Sequence, residues 1–275
     1  MTDRSRQTVA PRSIALGVEY DGTLFHGFQS QNDVPTVQDT LERALSKVAD
    51  EPVTIAAAGR TDAGVHATEQ VVSFEFGGQR PSKAWVRGTN AHLPAGISIL
   101  WARPIAGGFH ARFDAVSRRY VYVYGERDPI PAIGRNLATW THERLDHAGM
   151  HGAAQMLVGE QDFSSFRAAG CQSRSPVRRV HSVSVCRVGD FVYVDICANA
   201  FLLHMVRNIA SALRSVGVGD LDAGGLAALI RAKDRTLGPP TAPSQGLYFV
   251  NACYPVLTRP EPVRAPAILG PLVLD

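Results

Sequence analysis

A chain of 275 residues, 45% hydrophobic and 19% charged, carries enough apolar side chains for one large core or two moderate ones, which excludes a wholly disordered chain. No run approaches the roughly 20 uninterrupted apolar residues of a membrane helix, because the longest, residues 191–206, contains Asp195, Asn199 and His204. Residues 1–13 lack the apolar centre of a signal peptide and the four cysteines form no CxxC pair, so the expectation is a soluble, cytoplasmic protein with reduced thiols. The net charge of +3 is modest, yet Lys47, Lys83 and Lys233 are the only lysines among 28 basic residues. Arginine grips phosphate and stacks on bases, although a GC-rich genome would give the same bias. Distribution says more: no acid lies between Asp162 and Asp190, whereas Arg167, Arg174, Arg178, Arg179 and Arg187 do, a pattern that fits a polyanionic partner.

Ile14, Leu16, Val18 and Tyr20 alternate with small or polar residues, the period of a half-buried strand. Thr36 can cap a helix whose inner face is Val37, Leu41, Ala44, Leu45 and Val48. A short strand near residues 53–57 runs into the loop GRTDAGVHA, residues 59–67, and Val72, Phe74 and Phe76 then alternate as a strand. Residues 82–90 read as a helix interrupted by Gly88, and Ile97, Ile99 and Trp101 complete a β-α-β-β-α-β order.

The second half repeats that order. Tyr120, Tyr122 and Tyr124 alternate with Val121 and Val123, and residues 143–157 are helical with Leu145, Gly149, Ala153 and Met156 in line. Residues 177–188 and 191–198 form strands joined at Gly189-Asp190, a hairpin signal. Leu202, Met205, Val206, Ile209, Leu213 and Val216 make a helical stripe ended by Gly217; a short helix near residues 226–232 and a strand through Tyr248, Val250 and Ala252 follow. Two such units predict an α+β protein of two ferredoxin-like halves, residues 1–110 and 111–275, the second ending in a Pro-rich tail packed on the surface from Leu257 to Asp275. Two loops, residues 126–142 and 159–176, exceed what the fold needs, and long loops in compact domains usually bind something.

Several chemistries are absent. No lysine follows a glycine, so there is no Walker A phosphate loop; there is no GxSxG elbow, and Gly217-Val218-Gly219 lacks the third glycine of a dinucleotide fingerprint. His147 and His151 stand at i, i+4 but without an intervening Glu, and read as surface histidines rather than metal ligands. No metal or cofactor is expected.

In GRTDAGVHA, Gly59 and Gly64 permit tight turning around Arg60 and Asp62. A cation beside a carboxylate keeps it ionised, as a nucleophile requires, although an isolated Arg-x-Asp is equally an Asx-turn closed by an ion pair. The full string, flanked by Glu19-Tyr20-Asp21-Gly22 and Gln70-Val71-Val72, resembles the tRNA pseudouridine synthase A family. The resemblance continues through Phe109-His110-Ala111-Arg112-Phe113, Arg118-Arg119-Tyr120, Phe163-Ser164-Ser165-Phe166-Arg167, Cys171-Gln172-Ser173-Arg174, Asn199-Ala200-Phe201, His204-Met205-Val206-Arg207-Asn208 and Gly246-Leu247-Tyr248, in the family's order.

The resemblance implies the pseudouridine synthase fold, in which two ferredoxin-like halves form one mixed sheet across a basic cleft. It implies isomerisation of uridine to pseudouridine at positions 38, 39 and 40 of the tRNA anticodon stem-loop, with no cofactor. Asp62 would be the catalytic aspartate, Arg60 the residue that pairs with it and takes the flipped nucleotide's place in the stack, and Tyr120 the ring against the uracil. Leu247 would line the uracil pocket. RNA contacts would come from Phe109, His110, Ala111, Arg112 and Phe113 and from Gly170, Cys171, Gln172, Ser173 and Arg174, with Cys171 a small packed residue rather than a reactive thiol. Arg207 and Asn208 fit capping or packing as well as RNA contact. The segment 25–31 departs from the family by lacking an aromatic pair and a basic residue before Gln31, which implies a looser grip on RNA there.

Two other readings stand beside this one. A glycosidic hydrolase would want two carboxylates about 5 to 9.5 Å apart, and the loop supplies only Asp62. A catalytically idle RNA-binding module would need neither Asp62 nor Arg60. The resemblance also implies a homodimer, and a domain of this length, about 19 Å in radius of gyration, is short against a whole tRNA.

Overall fold

The computed structural model describes residues 12–105 and 108–257 and two short paired strands, Val263–Arg264 and Val273–Leu274. The amino-terminal segment and most of the expected surface tail lie outside the described residues.

β1 (Arg12–Tyr20) was expected to bury one face, yet Ser13, Ala15 and Gly17 are buried as well as Ile14, Leu16 and Val18. The reason is its central position, between β3 (His66–Phe76) and β4 (Ile97–Ile105), with the Trp101 ring lying over Gly17 so closely that a Cβ there would sit 2.2 Å from the indole nitrogen. α1 (Val37–Ala49) begins where Thr36 accepts a hydrogen bond from the Asp39 amide, and buries Val37, Leu41, Ala44 and Leu45 as its spacing requires. α2 (Ser82–Asn90) packs beside it and drives Trp85 edge-on between Phe74 and Phe76. The short β2 is only Ala56–Ala57, paired with β3.

In the second half, β5 (Ser117–Glu126), β8 (Val177–Val188) and β9 (Phe191–Ala198) follow the expected bounds closely, as does β10 (Leu247–Cys253). α3 (His147–Ala154) starts later than residue 143, because the Asp146 carboxylate accepts the Gly149 amide at 3.0 Å and caps the helix there. α4 (Met205–Gly217) likewise starts after Leu202, and α5 (Ala223–Ala232) follows Asp222 as its cap. Each long loop holds an unexpected strand: β6 (Thr139–Thr141) runs parallel to β5, and β7 (Gly159–Asp162) pairs with β8. The loop 126–142 therefore has a structural task. The Val121 and Val123 face of β5 points away from the main core and is covered with Ala138, Tyr193, Tyr248 and Val250.

The main sheet runs β4-β1-β3-β10-β5-β9-β8-β7. With the short loop strands β6 and β7 set aside and the rest numbered within each half, both sets of four strands have the order 4-1-3-2, the ferredoxin-like arrangement. The halves join where β10 lies parallel to β3, Tyr248 opposite His66 and Phe249 opposite Ala67. The loop between β2 and β3 thus opens beside the seam.

Candidate active site

The loop GRTDAGVHA is held from three sides. Gln70, fully buried on β3, donates to the Gly59 carbonyl at 2.6 Å and accepts the Gly59 amide at 3.4 Å. The Tyr20 hydroxyl meets the Thr61 hydroxyl at 2.8 Å, and the Phe28 amide donates to the Thr61 carbonyl at 3.0 Å. A turn then closes with the Val65 amide donating to the Asp62 carbonyl at 3.1 Å. Its third residue, Gly64, has φ +79°, the value a type II turn demands there and L side chains rarely adopt.

These bonds set Asp62 in the wall of a cavity of about 490 Å³ between the halves. One carboxylate oxygen, Oδ2, accepts from Arg207 Nη1 at 3.0 Å and lies 3.3 Å from His204 Nε2. Arg207 is itself aimed by a 2.8 Å bond from Nε to the Ala242 carbonyl. The expected pairing of Asp62 with Arg60 is therefore corrected: among the described residues the carboxylate turns across the cavity to the first turn of α4, and Arg60 stays on the exposed rim. Thr61 between them is pinned inward by Tyr20.

Tyr120 reaches the same cavity from β5, its ring edge-on to Phe201 and Phe249 at 5.0 and 5.1 Å. Burial pushes its phenol well above the ordinary value, and Tyr20 and Asp62 push it further, so at neutral pH it is a hydroxyl donor. Tyr122, two residues on, is instead tied into the core through Thr139 and the Pro243 carbonyl. Leu247 lines the cavity at the start of β10.

The expected RNA-contacting segment at the junction divides in two. Phe109 is 4% exposed, packed edge-on to Tyr254, and Ala111 is fully buried, its amide bound to Ser73 and its carbonyl to Tyr254. Both are packing residues, because Ser73 on β3 and Tyr254 beyond β10 hold this segment against the core. His110, Arg112 and Phe113 face outward: the Phe113 ring is 74% exposed, stacked on His110 at 4.3 Å and topped by the Arg112 guanidinium at 5.7 Å. Across the cavity, Cys171, Gln172 and Ser173 line the wall, while Gly170 and Arg174 are exposed beside it. Cys171 is packed, its sulfur accepting the Leu203 amide at 3.4 Å.

Sequence reasoning left Arg207 between packing and contact, and gave His204 no part. The signal was present, since residues at i and i+3 share one side of a helix's first turn. Asn208 is a packing residue, donating to the Phe166 carbonyl and accepting from Arg235 and Thr241. Arg118 and Arg178 were also missed. Arg118 ties together the carbonyls of Ala58, Arg112, Ala115 and Asn199, and Arg178 enters the wall with its Nε buried and unpartnered. The cavity lining carries five arginines against one carboxylate, a charge balance suited to a phosphate backbone.

His151 accepts the Val185 amide, so the His147 and His151 pair serves α3 packing on β8, and among the described residues no cluster of three or more His, Cys, Asp or Glu could hold a metal ion. Nor is any described helix long and apolar enough to cross a membrane.

Comparison with known proteins agrees over nearly the whole chain. Residues 17–114 and 153–255 match the family model for tRNA pseudouridine synthase. The chain is 50% identical over 261 residues to tRNA pseudouridine synthase A of Photorhabdus laumondii, covering 95% of this chain and 97% of that protein. It is 50% identical over 262 residues to the enzyme of the same name from Shewanella amazonensis (95% and 98% covered) and 48% identical over 271 residues to that of Escherichia fergusonii (98% and 100%).

Proposed function

The chain belongs to the tRNA pseudouridine synthase family, and from that premise we propose that Asp62 is the carboxylate that converts uridine to pseudouridine at positions 38, 39 and 40 of the tRNA anticodon stem-loop. The observation that carries the reading is the placement of Asp62 in an arginine-lined cavity, gripped by Arg207 and walled by Tyr120 and Leu247.

The reaction breaks N1–C1′, turns the uracil over, and joins C5 to C1′; the product gains a proton on N1 and loses the one on C5 to solvent. Attack on C1′, addition to C6 and removal of the C2′ proton are three ways to begin, and all three call for one carboxylate beside the nucleoside. Tyr120 supplies a ring for the uracil to lie against and a hydroxyl that can donate. Arg60, free on the rim, can stack where the extruded nucleotide was and recover part of an unstacking cost of a few kcal/mol. His110, Arg112 and Phe113 offer an aromatic and cationic platform for RNA, and residues 170–174 a second contact, with Phe109 and Ala111 bracing the first from behind.

The enzyme acts in the cytoplasm as a homodimer, one subunit receiving the stem while the basic stretch of the other holds the tRNA body. Mixed dimers check this: a subunit with Asp62→Ala and one with charge-reversed arginines should together regain activity that neither has alone. The catalytic assignment is tested by tritium release from C5-labelled tRNA. Wild type should release it, and Asp62→Asn should release none while binding tRNA within about tenfold of wild type, because phosphate contacts dominate affinity. Turnover by Asp62→Asn would remove the residue from its role.

A further inference from the structure

We infer that His204 is a positioning residue for the reacting carboxylate: with Arg207 it occupies one oxygen of Asp62 and leaves the other to act on the nucleoside. Arg207 donates to Oδ2 at 3.0 Å, and the His204 ring meets the same oxygen as an ion-pair contact, its Nε2 at 3.3 Å. Among the described residues no hydrogen bond reaches Oδ1. A carboxylate held this way is no longer symmetric, since one oxygen is engaged and the other keeps its lone pairs for chemistry.

The backbone of His204 gives a second, independent reason. Its φ of 59° and ψ of 7° place it in the left-handed region, where residues other than glycine are uncommon. It occupies the N-cap of α4, a position that favours Ser, Thr, Asp or Asn, and its side chain makes no capping bond. Nothing in the helix repays the conformation; the contact the ring gains is with Asp62. The surroundings enforce it, as the Ala168 amide donates to the Leu203 carbonyl at 3.0 Å, Cys171 takes the Leu203 amide, and the Asn208 amide closes on the His204 carbonyl at 2.9 Å. Strained residues of this kind gather where geometry serves function.

The inference rests on Asp62 as the reacting group, and the experiment keeps the two apart. His204→Gly removes the ring and suits the left-handed backbone, so its melting temperature should not fall; His204→Asn, also tolerant of that conformation but too short to reach, is the second variant. At saturating tRNA, single-turnover rates of both should drop by about tenfold to a hundredfold, the cost of letting a reacting group drift by up to about 1 Å. tRNA affinity should stay within about threefold, being set by phosphate contacts. Added imidazole should quicken His204→Gly, which a merely structural loss would not allow. A His204→Gly enzyme that runs at the wild-type rate, or a slow one that imidazole does not quicken, overturns the inference. Asp62→Asn is run alongside, with and without imidazole. Turnover there would sink the catalytic reading itself, whereas an inactive Asp62→Asn beside a fast His204→Gly would sink only the role of His204.

Discussion

On the wall that carries Asp62, the backbone from Gly59 to Val65 is fixed by a buried glutamine, a buried tyrosine and a neighbouring loop amide. The facing segment, Cys171 to Ser173, is held instead by side chains near the surface: Arg167 donates to the Cys171 and Ser173 carbonyls at 2.8 Å each and Arg178 to the Ser173 hydroxyl at 2.6 Å, next to an exposed Gly170 at φ +78°. The contrast separates two requirements. An oxygen proposed to react must be held within about 0.5 Å of its productive place, and the support on this wall is redundant and buried. A surface proposed to meet a sugar–phosphate backbone gains from some freedom, and its support comes from two half-buried guanidinium groups beside an exposed glycine.

The largest effect should come from loosening the rigid wall. Gln70→Leu keeps a buried side chain of similar size but strips both bonds from Gly59. A shift of about 1 Å in the carboxylate is worth about a hundredfold in rate, so kcat should fall by that order with little change in tRNA affinity. An unchanged kcat would mean that the Tyr20 and Phe28 contacts suffice, and the rigidity argument would narrow to them. On the facing wall, Arg167→Ala should do the opposite. With fewer molecules holding the loop ready, KM should rise on the order of fivefold while kcat holds. A matching fall in kcat would erase the distinction between the walls.

The smallest effect concerns pH. His66 begins β3 at the end of the Asp62 loop, its Nε2 on the Asn136 carbonyl at 2.9 Å and its Nδ1 accepting the Gly22 amide at 3.2 Å. Burial lowers its pKa below the ordinary 6.5, against weaker raising by the Asn136 carbonyl and Asp21. The unfolded chain therefore takes up the proton first as pH falls. The stability His66 contributes is whole above pH 6.5 and is lost progressively below it, until the folded protein binds the proton too. Urea midpoints measured at about pH 7.5 and 5.5 should decline in wild type more than in His66→Gln. Equal declines would show that the rigid wall does not depend on this histidine.

Much of the architecture was legible because local signals agreed with tertiary demand. The hairpin at Gly189-Asp190 and the cap at Thr36 place β8, β9 and α1 correctly, and Asp62 stands out through its whole motif. What escaped depended on partners far along the chain. Arg207 sits within an apolar stripe and looks like a helix residue until the fold carries Asp62 to it, 145 residues away in sequence. Phe109 carries the aromatic character of an RNA contact, but the nearby Tyr254 ring claims it for the core. The loop 126–142 is long because a valine face of β5 needs covering, a need that appears only once both faces of the sheet are known.

The seam between β3 and β10 bears on how the enzyme comes into being. A central position in the sheet is filled by a strand about 180 residues beyond β3 in the chain, with Tyr248 stacked on His66 at 4.7 Å and Leu247 lining the cavity. Pairings between such distant segments form late, since the loop between them must close before any contact rewards it. A nascent chain on the ribosome carries Asp62 long before the strand that seats the two halves side by side has been made. A complete cavity therefore arrives only with the closing strand, about 185 residues after Asp62 in the chain.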